Sequence, residues 1–521
     1  MNNKLVVLFS LLITFLYLKN LETIPFGLFC DEAIIGITSH ELVSGNFDSI
    51  SPPFFYKHFN YVLGLLPVLS QLPFTILFGT NHLAARLAPS IYFLVSFIII
   101  NKTMQNMGVK NSHLATIIYA LTPLTIHISR LNFGHAPSHL CIAIGIYFFY
   151  SSRIKNKILQ YTLSGIFFGL STYGYGVYIL IAPFFLFCKI IVDLAHRKNH
   201  PNQVIYTLLT AFILLLMVVP IVRGIIDNPN QARRIKDKLE STNSYVSERM
   251  VSVINNYPKY YSPNYLFLTG ESGKDPVIRH SIIGKGILLT SSTLIIFSAI
   301  IGAFLYKKNN DKLLPFLLMI FLYPFTDVIF TKDGKDPYSF AVFAGLFFLP
   351  YLFGFGLDYL GRLSLFKNTR ATAHIKISFL LIFVTIVSVI EGLHFYLYTY
   401  ERYPLISSGY WGWQSGPREM VSFYIQNKSG YDEFIMSNQF NESESLLKFY
   451  LIDNPELMSN AKIGSVDNYN PTKKQLFGLS SQQFIEEVKD KYNTEIEEVI
   501  YYPNFEPSFY LFTVNEPFLT I

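Results

Sequence analysis

Charge is scarce in this chain. Of its 521 residues only 15% are charged, while 51% are hydrophobic and 16% aromatic. Soluble domains carry about a quarter charged residues, so this balance points to lipid as the solvent. Cysteine is rarer still. Cys30, Cys141 and Cys188 lie far apart, which excludes a disulfide framework and a cysteine-spaced metal site. There is no HExxH, no phosphate-binding P-loop and no GxGxxG opening a helix, so zinc hydrolysis and nucleotide-fuelled chemistry have no motif to rest on. The net charge of +6 matches the basic excess of cytoplasmic loops and gives no argument for nucleic acid. The apolar run Leu5–Leu18 is followed by no small-residue cleavage site, so it reads as an uncleaved first helix.

What the chain does have is long apolar runs. A spanning helix needs about 20 mostly apolar residues. Candidates fall at 4–20, 61–79, 83–101, 113–129, 137–152, 158–174, 177–192, 205–224, 284–306, 313–330, 338–359 and 377–398. The basic clusters between them are Lys102 with Lys110, Arg153 to Lys157, His196-Arg197-Lys198, Lys307 to Lys312, and Arg362 to Lys376. The positive-inside rule puts all of these in the cytoplasm. They reach it together only if one early segment fails to cross. The 61–79 segment, with Pro67, Gln71 and Pro73, is the weakest and is read as a juxtamembrane or re-entrant helix at the outer face.

The expectation is therefore an α-helical polytopic membrane protein with about eleven transmembrane helices, its N-terminus inside and its C-terminus outside. External loops cover 22–82 and 225–283; the basic residues of the second fit the charge rule poorly, as long loops do. From about Tyr400 the composition turns to Glu, Asp, Asn, Lys and Ser. Phe434-Ile-Met, Val499-Ile-Tyr-Tyr and Phe509–Val514 read as strands and Ser481–Tyr492 as an amphipathic helix. This divides the chain into a membrane part, 1–398, and a small extracytoplasmic α/β domain, 399–521.

The most informative spot is Phe29-Cys30-Asp31-Glu32-Ala33, an acidic pair just past the first apolar run. A carboxylate beside a low-dielectric region can serve as general base toward a hydroxyl. Asp31 and Glu32 would equally suit the first turn of a helix over residues 32–43, where acids favour the N-terminus. Both readings stand on these residues alone.

The wider arrangement carries a resemblance. FCDEAIIGITSHELVSGNFDSISPPFF is followed by LFGTNHLAARLAPSIYF, and then, more weakly, by ISRLNFGHAP, STYGYGVY and LTGESGKDPVIRHSIIGKG. In order and spacing this resembles the GT-C class of membrane glycosyltransferases, family 39, which includes protein O-mannosyltransferases and the aminoarabinose transferases of lipid A. The resemblance implies a sugar donor on polyprenyl phosphate, an extracytoplasmic acceptor and inversion at the anomeric carbon. It implies Asp31 as catalytic base, with Glu32 orienting the hydroxyl or the base.

Cations must then meet the charge that grows on the departing phosphate. Lys57, Arg86, Arg279 and His280 are the candidates. Lys57 is displaced from the relatives' lysine-proline position, since Ser51 precedes Pro52-Pro53 here, and Ile34 stands where aminoarabinose transferases carry an arginine. Arg86 would also suit an interfacial anchor, and Arg279-His280 a solvated loop. His135 and Tyr175 are further substrate-binding candidates, with a structural histidine and an aromatic belt as the plainer readings. No metal site and no cofactor are assigned; whether the acidic pair needs a divalent ion stays open. The partners expected are the lipid-linked donor, the acceptor and membrane lipids. The rival class is a transporter or lipid-linked-sugar flippase, which should show paired repeats and mid-membrane ionisable residues; no repeat is visible. A non-catalytic scaffold would leave the acidic pair idle.

Overall fold

A computed structural model describes residues 3–51, 55–58, 61–197, 202–227, 246–271, 278–279, 281–305, 310–331, 335–362, 370–409 and 412–517. Among these residues, six helices are long and apolar enough to cross a membrane: His82–Asn106, Tyr178–Ala195, Gln203–Ile226, Asp311–Phe330, Ser339–Leu360 and Leu380–Tyr400. Each coincides with a segment read from the sequence. Val6–Leu18, Leu66–Phe78, His135–Phe149 and Ser292–Leu305 are shorter apolar helices. The 113–129 segment is not continuous: Ser112–Ala120 stops and Pro123–Ile128 restarts, because Pro123 disfavours helical backbone before it and suits a helix start. The 13 residues of Leu66–Phe78 rise only about 20 Å at 1.5 Å each, less than a hydrocarbon core of about 30 Å.

The chain divides into two units. The first takes Met1–Lys19, Asp48–Ser70 and Ala88–Thr399, and holds most of the apolar helices. Gln203–Asp227 turns Ile205, Leu208, Phe212, Leu215, Leu216 and Val219 outward, the face that lipid would cover. Its inner side lies close to the Lys157–Ser171 helix, since a Cβ on Gly169 would stand 2.3 Å from that of Met217; small residues permit such approaches between membrane helices. Arg130, fully buried, donates to the carbonyls of Leu16 and Lys19 at 2.6 Å each. A cation thus closes the C-terminal end of the first helix, the negative end of its dipole. A short antiparallel sheet of Ile50–Ser51, Phe55–His58 and Tyr61–Gly64 belongs to the same unit.

The second unit takes Asn20–Phe47, Gln71–Leu87 and Tyr400–Ile521. Its sheet has the spatial order 461–464, 433–437, 475–480, 507–517, 492–501. The first three strands are parallel and the last two join antiparallel. The expected strands around Phe434, Val499 and Phe509 are present. The expected helix over Ser481–Tyr492 is one turn, Ser481–Gln483, continued by a π-helical turn Phe484–Val488, and a strand begins at Tyr492. Phe484 and Val488 supply the apolar side of that short piece by packing with Ile435, Phe477 and Phe512. On the other face of the sheet, Phe434, Met436, Leu446 and Phe449 share a core with Leu28, Ala33 and Ile37. The helix that bears the acidic pair is thus built into the hydrophobic core of the C-terminal sheet.

Candidate active site

The acidic pair opens the helix Cys30–Val43. Phe29 is extended and Glu32, three residues on, reaches back so that Oε2 accepts from the Phe29 N–H at 3.4 Å. That is half of a capping box. The same Oε2 accepts from Arg86 Nη2 at 3.1 Å, and both side chains are fully buried. Arg86 also donates to the carbonyls of Pro25 and Gly27 and lies 5.3 Å from the Trp413 ring. A guanidinium suits this task because its planar fork points donors in several fixed directions. Gly27 is required at its place: φ is +101° and a Cβ would come within 2.3 Å of the Trp413 carbonyl.

The loop before the helix is therefore fixed by one buried cation. Asp31 is the next-door residue on the first turn, and it is half-buried where Glu32 is fully buried. The two acids are thus placed differently. Glu32 closes the helix start and pairs with Arg86, while Asp31 stands beside it on the same first turn, at the positive end of the helix dipole.

Further contacts fix the rest of this helix. Ser39 donates to Thr75 at 3.0 Å, His40 meets Thr80 at 3.2 Å, and Lys448 pairs with Glu41 at 2.7 Å. Asn441 Nδ2 donates to Cys30 Sγ at 3.2 Å. All three cysteines are buried, and none is in a disulfide.

Asp31, Glu32 and Arg86 lie in the second unit; Lys57, His135, Tyr175 and Arg279 lie in the first. His280 falls outside the described residues. Lys57 is exposed on the Phe55–His58 strand, and its Nζ donates to the Asp48 carbonyl at 2.8 Å. Arg279 is half-buried, and its carbonyl pairs with His127 Nε2 at 2.7 Å. His135 starts a helix after Gly134 and is fully buried. Its ring stacks on Tyr175 at 4.0 Å and meets Phe340 edge-on at 4.6 Å. Neither ring nitrogen has a hydrogen-bond partner among the described residues, an unusual state for a buried imidazole.

Two features escaped the sequence reading. Trp413 forms one wall of the Arg86 site, yet only its distance in space, not in sequence, reveals it. Glu271, inside the LTGESGK stretch, is buried and accepts from the Ser339 N–H at 2.7 Å. Burial pushes its carboxyl up to about 7, and the Ser339 contacts offset part of that rise. Among the described residues no three of His, Cys, Asp or Glu come together as a metal-ligand set.

Comparison with known proteins follows the same line. Residues 68–222 match the sequence family described as dolichyl-phosphate-mannose-protein mannosyltransferase. No curated protein matches the chain significantly. Among solved structures, ArnT from Cupriavidus metallidurans bound to undecaprenyl phosphate is similar at 13% identity and a TM-score of 0.59, over 99% of this chain and 98% of that one. Its apo form gives 12% and 0.54, over 98% of each chain. The oligosaccharyltransferase of Archaeoglobus fulgidus tethered to an acceptor peptide gives 12% and 0.50, over 97% of this chain and 73% of that one. At these identities the likeness is one of fold. The resemblance to GT-C membrane glycosyltransferases stands, in fold over nearly the whole chain and in sequence over 68–222.

Proposed function

We propose that this GT-C-fold membrane protein is an inverting glycosyltransferase that moves one sugar from a polyprenyl-phosphate donor to an extracytoplasmic acceptor. The observation that carries the reading is the rigid acidic turn. Asp31 sits beside a glutamate whose carboxylate is already bound by Arg86 and the Phe29 amide, so the pair is not two equivalent helix-capping acids.

In the reaction, an acceptor hydroxyl oxygen attacks the anomeric carbon from the face opposite the phosphate. Asp31 takes the hydroxyl proton as the new C–O bond forms. The bond from the anomeric carbon to the phosphate oxygen breaks, its electron pair leaves with the polyprenyl phosphate, and the configuration inverts. Such a positioned base contributes about 10²–10⁴-fold. Glu32 and Arg86 position Asp31 and do not touch substrate. Lys57, Arg279 and His280 are assigned to the charge developing on the phosphate, and His135 with Tyr175 to the sugar. The eleven-crossing topology, with the N-terminus in the cytoplasm and 399–521 outside the plasma membrane, belongs to the same proposal. It keeps the acidic turn on the side where lipid-linked sugars are used without nucleotides.

The relatives support the donor class: one similar structure holds undecaprenyl phosphate. The test is donor-dependent transfer of radiolabelled sugar by purified protein. Labelling of a cysteine placed at Thr80 or Asn81 in intact cells tests the topology; labelling only after permeabilisation would refute it.

A further inference from the structure

The parallel strands of the second unit meet at a switch in direction. From the middle strand, Glu433–Ser437, the chain passes through the helix Ser443–Tyr450 to the strand Ala461–Gly464 on one side. It then returns to Gln475–Ser480 on the other side. Crevices at the carboxyl ends of strands at such switch points are where open α/β sheets bind ligands. Here the segment leaving the middle strand is Asn438-Gln439-Phe440-Asn441-Glu442.

Its side chains form a shelf of amides. Asn438, Gln439 and Asn441 are all exposed. Gln483 Nε2 donates to Asn438 Oδ1 at 3.1 Å, and Ser480 Oγ donates to Gln439 Oε1 at 2.7 Å. These contacts orient the amides but use only part of their capacity. The Asn438 and Gln439 amide nitrogens and Asn441 Oδ1 have no partner among the described residues.

Aromatic rings continue the shelf. Phe440 and Phe509 are buried and stack on each other at 5.2 Å, Tyr502 meets Phe509 at 6.5 Å, and Phe505, at the tip of that hairpin, is 86% exposed. Phe505 and Glu442 hold positive φ angles of 67° and 55° without being glycine, strain of the kind that collects at functional sites. The other end of the shelf touches the catalytic turn, because Asn441 donates to Cys30, the residue before Asp31.

Resting on the transferase reading above, we propose that this shelf is the acceptor subsite and that the acceptor it receives is carbohydrate. Side-chain amides offer a donor and an acceptor together, which matches vicinal hydroxyls. The exposed Phe505 ring offers a face that matches the C–H face of a sugar ring. A protein acceptor would call for an open apolar groove or a free strand edge, and the segment at the switch point is neither.

The test uses the full purified chain, radiolabelled undecaprenyl-phosphate hexoses as donor, and a detergent extract of the source membranes as acceptor. Label is sorted into organic-soluble glycolipid, protease-resistant polysaccharide and protease-sensitive protein. The expected result is label in glycolipid or polysaccharide; which of the two names the acceptor's source. The N438A/Q439A/N441A variant, and F505A separately, should raise half-saturation by the extract at least tenfold. Donor half-saturation, donor binding and thermal stability should stay unchanged. Label released by protease, or an unchanged half-saturation in both variants, would overturn the acceptor assignment alone. Wild-type protein that binds no polyprenyl-phosphate sugar would instead overturn the transferase reading on which it rests.

Discussion

Replacing Arg86 with methionine is the sharpest perturbation of the acidic turn. The arginine and Glu32 are both fully buried and 3.1 Å apart. Methionine keeps the packing volume but leaves the Glu32 carboxylate uncompensated and the Pro25 and Gly27 carbonyls without their donor. Removing one member of a buried pair costs about 3–5 kcal/mol. Losing the charge over Trp413 adds about 0.5–2 kcal/mol. The loss should fall mainly on the second unit, which holds both tryptophans of the chain, at 411 and 413, so their fluorescence during denaturant unfolding reports it. The partner variant Glu32→Gln should cost less, because Gln still accepts from Arg86 and from the Phe29 amide. The double variant R86M/E32M should recover most of the loss, since an apolar pair of similar volume replaces a buried ion pair at little cost. The expected coupling energy is at least about 2 kcal/mol. A coupling near zero, with R86M alone almost neutral, would refute the claim that this pair fixes the loop.

The Gly27→Ala variant should destabilise the same unit by at least about 2 kcal/mol, because a non-glycine at positive φ clashes with backbone that cannot move aside; the same fluorescence assay checks it. Glu271 makes stability pH-dependent. Its folded-state carboxyl is raised from 4.5 to about 7, so the contribution is full below pH 4.5 and is lost as pH rises through 7. Glu271→Gln should flatten that decline in thermal melts taken across this window. His135→Leu should cost less than about 1 kcal/mol, since the ring nitrogens leave no bonded partner behind. It should nonetheless raise the donor KM several-fold; an unchanged KM would return His135 to a purely structural role.

The apolar segments were readable because lipid demands long apolar helices, and six of them reappear at nearly the positions read from the sequence. The Asp31–Glu32 turn was readable as the start of a helix, and Glu32 does reach back to the Phe29 amide there. The burial and pairing of Glu32 were not readable, because they depend on Arg86, which lies 54 residues away. Separation in sequence likewise hides Trp413 from Arg86 and Ser339 from Glu271. Nor does any local pattern reveal that Leu28, Ala33 and Ile37 share a core with Phe434 and Phe449. Those residues read equally well as the apolar side of an isolated loop helix. The helix expected over Ser481–Tyr492 ends early, at Val488, for a local reason. Its apolar period covers only Phe484 and Val488, after which the Tyr492–Tyr501 strand is claimed by pairing with Pro507–Pro517.

The most direct test is transfer of radiolabelled sugar from undecaprenyl-phosphate donors to a membrane extract, by wild-type protein and by Asp31→Asn at matched folding. The account predicts donor-dependent transfer by the wild type and a loss of about 10²-fold or more in the variant, with donor binding kept. Transfer by Asp31→Asn at the wild-type rate would contradict it and leave the acidic turn as a helix cap alone.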